Sequence, residues 1–280
     1  MNVNLRTDAK RHNLALMKIS TYHKAQGDNV YLNGVGSFDL TYGSWLFDFT
    51  PKEICDIEGG PGIDPTISLN GFDDCRPDYN LYGCDFSLGY TWRYCPRKCE
   101  FCIVPKQHNP KEHNSIWTFH NSRFKKICLL NNNTFSDPKW RETFEEIWDA
   151  DLTVIDENGY DLRLLDDEKA ETLKRTRFYK NAVYFSWDFM EDEKQILKGL
   201  ELLKRWKLNG HNTRIHVLIG FNTTEEEDLY RCQKIVDAGP APYPMPYEKT
   251  PYTRAFKRFI NLHYYRRYKT IKDAWKDYEN

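Results

Sequence analysis

The chain is 280 residues long, enough for one large domain or two modest ones that bury a core without covalent staples. Its 40% hydrophobic and 29% charged residues exclude a disordered chain, and a formal net charge of −1 excludes a protein coated in nucleic acid. No apolar run approaches the ~20 residues a membrane helix needs, and no apolar stretch follows the first six residues. A cytoplasmic protein with reduced thiols and no membrane partner is therefore expected.

Residues 1–80 read as a small α/β N-terminal region. The segment 13–26 predicts a helix, with Leu14, Leu16, Met17, Ile19 and Tyr22 partly on one face. Residues 30–32 suit a short strand, and the Gly- and Pro-rich 59–65 a loop. His12 and His23 are expected at the surface.

From about residue 85 strands and helices alternate. Residues 86–92 predict a strand that runs into a group of cysteines. Residues 126–130 predict a second strand, stopped by Asn131-Asn132-Asn133. Asp137-Pro138 looks like a helix start, with Trp140, Phe144, Ile147 and Trp148 on one face. Strands follow at 152–155, 182–187, 214–219 and, broken by prolines, at 242–247. Helices are expected at 166–178 and 191–208, after the capping box Thr224-x-x-Glu227, and from Thr253 onwards. This order implies parallel strands with right-handed crossovers. Six units are too few for a closed eight-stranded barrel but suit an open, partial (β/α)6 barrel over residues 81–250. Functional groups then belong at the C-terminal strand ends.

Cys95, Cys99 and Cys102 carry the strongest chemical signal. They are spaced Cys-x3-Cys-x2-Cys, with Phe101 just before the third. Three thiolates on so short a loop can hold three corners of a [4Fe–4S] cube and leave one iron open. The alternative is a zinc site completed by Cys84, His108 or His113, in a protein that uses metal for structure or electron transfer. Cys55, Cys75 and Cys84 show no second cluster spacing. Cys128 and Cys232 read as buried thiols on a strand and a helix.

With its position after the first strand of the series, this loop resembles that of the radical S-adenosylmethionine superfamily. The similarity is greatest to the branch that often carries an N-terminal cobalamin-binding domain. It covers roughly residues 82–255. It implies a [4Fe–4S] cluster on Cys95, Cys99 and Cys102, whose open iron binds S-adenosylmethionine. It also implies reductive cleavage to a 5′-deoxyadenosyl radical and a one-electron donor such as a flavodoxin or ferredoxin. The substrate, whether small molecule, peptide or RNA, is not implied.

Asn131, Asn132 and Asn133 stand where that branch has an acidic turn that binds the methionyl amino group; they also suit an Asx turn capping the next helix. Arg163, in Asn158-Gly159-x-x-Leu162-Arg163, stands where a guanidinium faces the cosubstrate carboxylate; it also suits a surface pair with Asp166 or Asp167. Asp188 replaces a glutamate that ends the fourth strand, or serves as a helix N-cap ahead of Glu191. Gly220, in Leu218-Ile219-Gly220-Phe221, resembles the fifth-strand end that packs on adenine.

The resemblance places residues 1–80 where relatives bind cobalamin. Eighty residues are short for that fold, and the Asp-x-His-x-x-Gly loop that supplies an axial imidazole is absent. A degenerate remnant that helps close the barrel or position substrate is expected; the alternative is cobalamin binding, since some relatives bind it without that loop. At the other end, residues 251–280 combine eight Lys and Arg with three acidic groups and many aromatics. They predict either an amphipathic helical cover for the barrel or a surface that holds phosphates and stacks bases.

Overall fold

The computed structural model describes residues 1–69 and 71–279. The protein is mixed α/β with parallel sheets, and it divides into two units, Met1–Asn132 and Asn133–Asn280.

The first unit begins with β1 (Asn2–Thr7), α1 (Leu14–Ala25), β2 (Asn29–Leu32), β3 (Leu40–Ser44) and β4 (Ile57–Gly59). The strands lie side by side in the order β2-β1-β3-β4, with Val3 opposite both Val30 and Leu40. Val3 and Leu5 of β1 meet Leu16 and Ile19 of α1 and Tyr42 of β3 in one core. The Asn13 side chain accepts from the Leu16 backbone N–H, so α1 starts where the sequence expects.

Two short strands follow, β5 (Ser87–Gly89) and β6 (Lys126–Leu129), paired Leu88 to Cys128. The expected strand 86–92 is cut short after Gly89. The N–H groups of Thr91 and Trp92 bond a side chain, that of Asn131, instead of a neighbouring strand.

The second unit holds α2 (Trp140–Asp149), β7 (Thr153–Ile155), α3 (Asp167–Arg175), β8 (Val183–Trp187), α4 (Glu193–Arg205), β9 (Thr213–Ile219), α5 (Glu225–Ala238) and β10 (Ala241–Pro246). Parallel β8, β9 and β10 pair in the order β10-β9-β8, with Trp187 opposite Val217. Pro242, Pro244 and Pro246 alternate along β10. Their missing N–H groups therefore fall on one side, the edge away from β9, where a ladder loses nothing. Thr224 and Glu227 form the expected capping box of α5. Helix α2 starts later than expected. A 3₁₀ turn at Thr134–Ser136 comes first, and Asp137 accepts from the Lys139 N–H.

The C-terminal helix is interrupted. After α6 (Pro251–Asn261), His263 adopts φ +54°. A 3₁₀ turn at Tyr264–Arg267 and α7 (Ile271–Glu279) follow. The aromatics close on Phe259, whose ring lies 5.1 Å from Trp275, 5.3 Å from Tyr278 and 6.1 Å from Tyr264. Among the described residues no helix is long and apolar enough to cross a membrane.

Candidate functional site

In the first unit, Cys95, Cys99 and Cys102 sit half-buried on an irregular loop beyond the C-terminal end of β5, with no disulfide. The Cys102 N–H donates to the Cys99 carbonyl at 3.0 Å, closing the tight turn between the last two thiols. The root of the loop is pinned from the end of β6. Asn131, only 2% exposed, accepts the Thr91 and Trp92 N–H groups on Oδ1 at 2.9 and 3.0 Å and donates to Thr91 Oγ1 at 2.8 Å. Asn132 Nδ2 donates to the Arg93 carbonyl at 2.5 Å and to Asn109 Oδ1 at 3.2 Å.

Two of the three asparagines thus fasten the backbone just before Cys95. The carbonyl that the resemblance assigns to an ammonium group has both lone pairs engaged by Thr91 and Trp92. Asn133 belongs to the second unit and precedes the Thr134–Ser136 turn without a side-chain cap, so the capping alternative is not realised there.

The clamp has a measurable consequence. Asn131→Ala leaves two buried N–H groups without their acceptor, each costing roughly 1–3 kcal/mol. The alanine variant is expected to lose loop protection in amide exchange and to reconstitute less metal per chain. Wild-type protection of the loop in Asn131→Ala would refute the clamp.

Among the described residues no three His, Cys, Asp or Glu side chains converge on one metal position. A mononuclear zinc site needs that convergence, with each thiolate ~2.3 Å from a single ion. The thiolates of a cubane bind separate irons but must likewise converge on one compact cube. Of the expected fourth zinc ligands, Cys84 is buried, its thiol pushed up to about 11 by desolvation. His113 pairs through its backbone with Trp92. Three thiolates on one short loop are a donor set that a cubane could take at three corners, or that zinc could take with a fourth ligand.

A cleft of about 1230 Å³ opens in the same unit. Tyr42, Ser44 and Gly60 line it together with Gly89, Tyr90 and Arg93, at the root of the cysteine loop. The Arg93 guanidinium lies over the Tyr90 ring at 4.9 Å, and burial raises the Tyr90 phenol above its ordinary range. Sequence reasoning missed Tyr90. Its signal was an aromatic directly after the glycine that ends the strand.

The order β2-β1-β3-β4 is that of a doubly wound sheet, whose ligand crevice lies outside the carboxyl ends of the strands flanking the switch point, here β1 and β3. The chain fills that position itself. Asp8 accepts from the Leu46 and Phe47 N–H groups at 2.7 and 3.1 Å and from the Thr50 hydroxyl. Neither early histidine is placed as an axial ligand. His12 is half-buried, edge-on to Tyr82 and Phe86. His23, expected at the surface, is 4% exposed and bonds Asp28 Oδ2 at 2.8 Å and the Tyr42 hydroxyl at 3.1 Å. It closes the end of α1 against the sheet, which is why it is buried.

In the second unit the strand ends carry a separate polar set. Arg163 pairs with neither Asp166, which caps α3, nor Asp167, which meets Arg205. Its Nε and Nη2 donate to Asp161 at 2.7 and 3.1 Å, and its Nη1 donates to Asp192 at 2.5 Å. Burial works against the charge, but the bonds to Asp161 and then Asp192 outweigh it, and the pKa stands above its ordinary value. Asn133 Nδ2 joins the group through Asp161 Oδ2 at 3.0 Å. Three of the five guanidinium donors are used in these bonds.

Asp156, just after β7, ties the Gly159 turn to β8. It accepts the Gly159 and Tyr184 N–H groups, both at 2.8 Å, while burial pushes its carboxyl up to about 7. Gly220 ends β9 at φ +71°, where an added Cβ would stand 2.9 Å from Thr253 Cγ2. Beside it, the Phe221 ring meets Tyr247 at 4.7 Å and Phe189 at 6.3 Å.

Asp188 does not cap a helix. A 3₁₀ turn at Met190–Asp192 lies between it and α4, and Asp192 precedes the helix. Burial pushes the Asp188 carboxyl up to about 6, partly offset by a bond from Ser186. Below pH ~4 the folded and unfolded forms are both protonated. Between pH ~4 and 6 only the unfolded form ionises, so this group's stabilising contribution is lost as pH rises and is gone above about 6–7. Relative to Asp188→Asn, wild type is expected to lose on the order of 2 kcal/mol across that window. Urea midpoints of both proteins from pH 4 to 7 check this, and parallel curves would refute it.

Sequence reasoning also missed Arg231, on α5 and 0% exposed. Its Nη1 donates to the carbonyls of Trp187 and Asp188 at 2.9 and 3.0 Å. Its Nη2 donates to the Leu218 carbonyl at 2.7 Å and to Asp228 Oδ1 at 2.5 Å. One guanidinium thereby holds the ends of β8 and β9 together.

No protein-family model matches the chain, and comparison with curated proteins finds no relative.

Proposed function

We propose that the protein is a radical S-adenosylmethionine enzyme. The observation that carries this reading is the placement of Cys95, Cys99 and Cys102 on a pinned loop directly beyond a parallel strand. A [4Fe–4S] cluster held by these thiolates would supply the electron that cleaves the cosubstrate to methionine and a 5′-deoxyadenosyl radical, drawing on a flavodoxin- or ferredoxin-type donor. A partial (β/α)6 barrel built on β5 to β10 belongs to the same reading.

The chain's own residues have definable tasks. Asn131 and Asn132 fix the backbone from which the thiolates project, which lowers the cost of ordering the loop around a metal group. Tyr90 and Arg93 offer a phenol and a cation to a substrate entering the cleft of the first unit. In the second unit, Arg163 keeps two donors beyond its bonds to Asp161 and Asp192, which suits a carboxylate. Above pH ~6 the Asp188 carboxylate accepts from hydroxyl or ammonium groups. The aromatics Phe221 and Tyr247 suit a flat base beside the bare backbone of Gly220.

The test is anaerobic reconstitution, then iron and sulfide analysis and electron paramagnetic resonance of the reduced protein, with and without S-adenosylmethionine. About four irons per chain and a signal that shifts on adding the cosubstrate are expected. Tightly held zinc without iron would overturn the reading. A cluster blind to the cosubstrate would point to electron transfer.

A further inference from the structure

The C-terminal segment separates its two kinds of residue. The aromatics turn inward on Phe259, while Arg254 and Arg258 of α6, Arg266, Arg267 and Lys269 after it, and Lys272 of α7 are all exposed. Among the described residues no ion pair engages any of these six cations. The nearby acids are held by other groups. Asp277 accepts from the Tyr264 and Tyr268 hydroxyls, Asp273 from the Thr270 hydroxyl, and Glu225 of α5 from the Trp275 indole.

We infer that these exposed cations serve as a docking surface for the phosphate backbone of a nucleic acid. Four of the six cations are arginines, whose fork matches phosphate oxygens. Arg254 and Arg258 stand one helical turn apart on the same side of α6. The aromatics are engaged with one another, so recognition rests on phosphates without sequence preference. A membrane surface would call for apolar anchors among the cations. Leu262, 61% exposed, is the one large apolar side chain the described segment presents to solvent.

The full chain is tested by fluorescence anisotropy with labelled tRNA and with duplex DNA, at 50 and 200 mM salt. Four phosphate contacts would weaken binding about a hundredfold across that range. The variant R254Q/R258Q/R266Q/R267Q is expected to lose at least tenfold in affinity at 50 mM salt with an unchanged thermal midpoint. Arg141→Gln, which removes a cation paired with Glu168, is expected to bind as wild type. Should the fourfold variant fold poorly, R258Q/R266Q and the salt slope of the wild type carry the test. Absence of binding at 50 mM salt, equal binding by the variants, or binding to anionic vesicles alone would overturn the inference. Metal-free protein is expected to bind equally well, so the result is independent of the cysteine loop.

Discussion

Arg231→Met is expected to lower stability by ~3–5 kcal/mol and the thermal midpoint by about 10 °C. The arginine is fully buried and bonds three backbone carbonyls and the Asp228 carboxylate. Methionine fills much of the volume but supplies no donor. It leaves Asp228 as a buried carboxylate with hydroxyl donors, Thr223 at 2.9 Å and Tyr252 at 2.8 Å, and no cation. An uncompensated buried charge is far costlier than the loss of the pair as a whole. The double variant Asp228→Leu with Arg231→Met is therefore expected to be less destabilised than the sum of its single changes. Arg231→Lys keeps the charge but cannot fork to two strand ends, and falls between. Urea unfolding of the four proteins gives the cycle, and a loss below about 1 kcal/mol for Arg231→Met would contradict the brace. Because the guanidinium holds the Asp188 carbonyl, milder variants should also shift the pH dependence assigned to that residue.

What could be read from the sequence was local. The Thr224 and Glu227 capping box and the apolar stripes of α2 and α4 lie within a few residues of one another, and the structure places them where expected. β1, β3 and β4 were not legible. β1 offers only two apolar residues, Val3 and Leu5, and the Asn4 between them is buried and accepts from the Gly34 N–H. β3 contains Gly43, and β4 is three residues long. Each is a strand because its neighbours are, not because of its own composition.

The strand-end residues of each unit were legible in position but not in role. Asp188 and Asn131 stand at strand ends, yet one misses its helix because a 3₁₀ turn intervenes, and the other bonds backbone brought to it by β5. Arg231 and Asp228, three apart at the start of an acidic helix, look on paper like a solvated pair. Only the packing of α5 on β8 and β9 buries them.

The cysteine spacing is the one chemical signal that survives without tertiary context, because eight residues cannot separate three thiols far. Replacing any one of Cys95, Cys99 or Cys102 by alanine is expected to reduce reconstituted iron from about four per chain to near zero. A cubane held by three protein thiolates has no spare corner ligand to lose. Cys55→Ala and Cys75→Ala remove half-buried thiols elsewhere and should leave iron unchanged. This contrast separates the loop from adventitious thiol binding, where iron would fall in proportion to the thiols removed. It also separates a cluster from zinc. A zinc site completed by Cys84 would lose its metal on Cys84→Ala, whereas the cluster reading predicts retention, since burial keeps that thiol protonated at neutral pH. Full iron in a Cys99→Ala protein would leave the proposed chemistry without a site, whatever the fold around it.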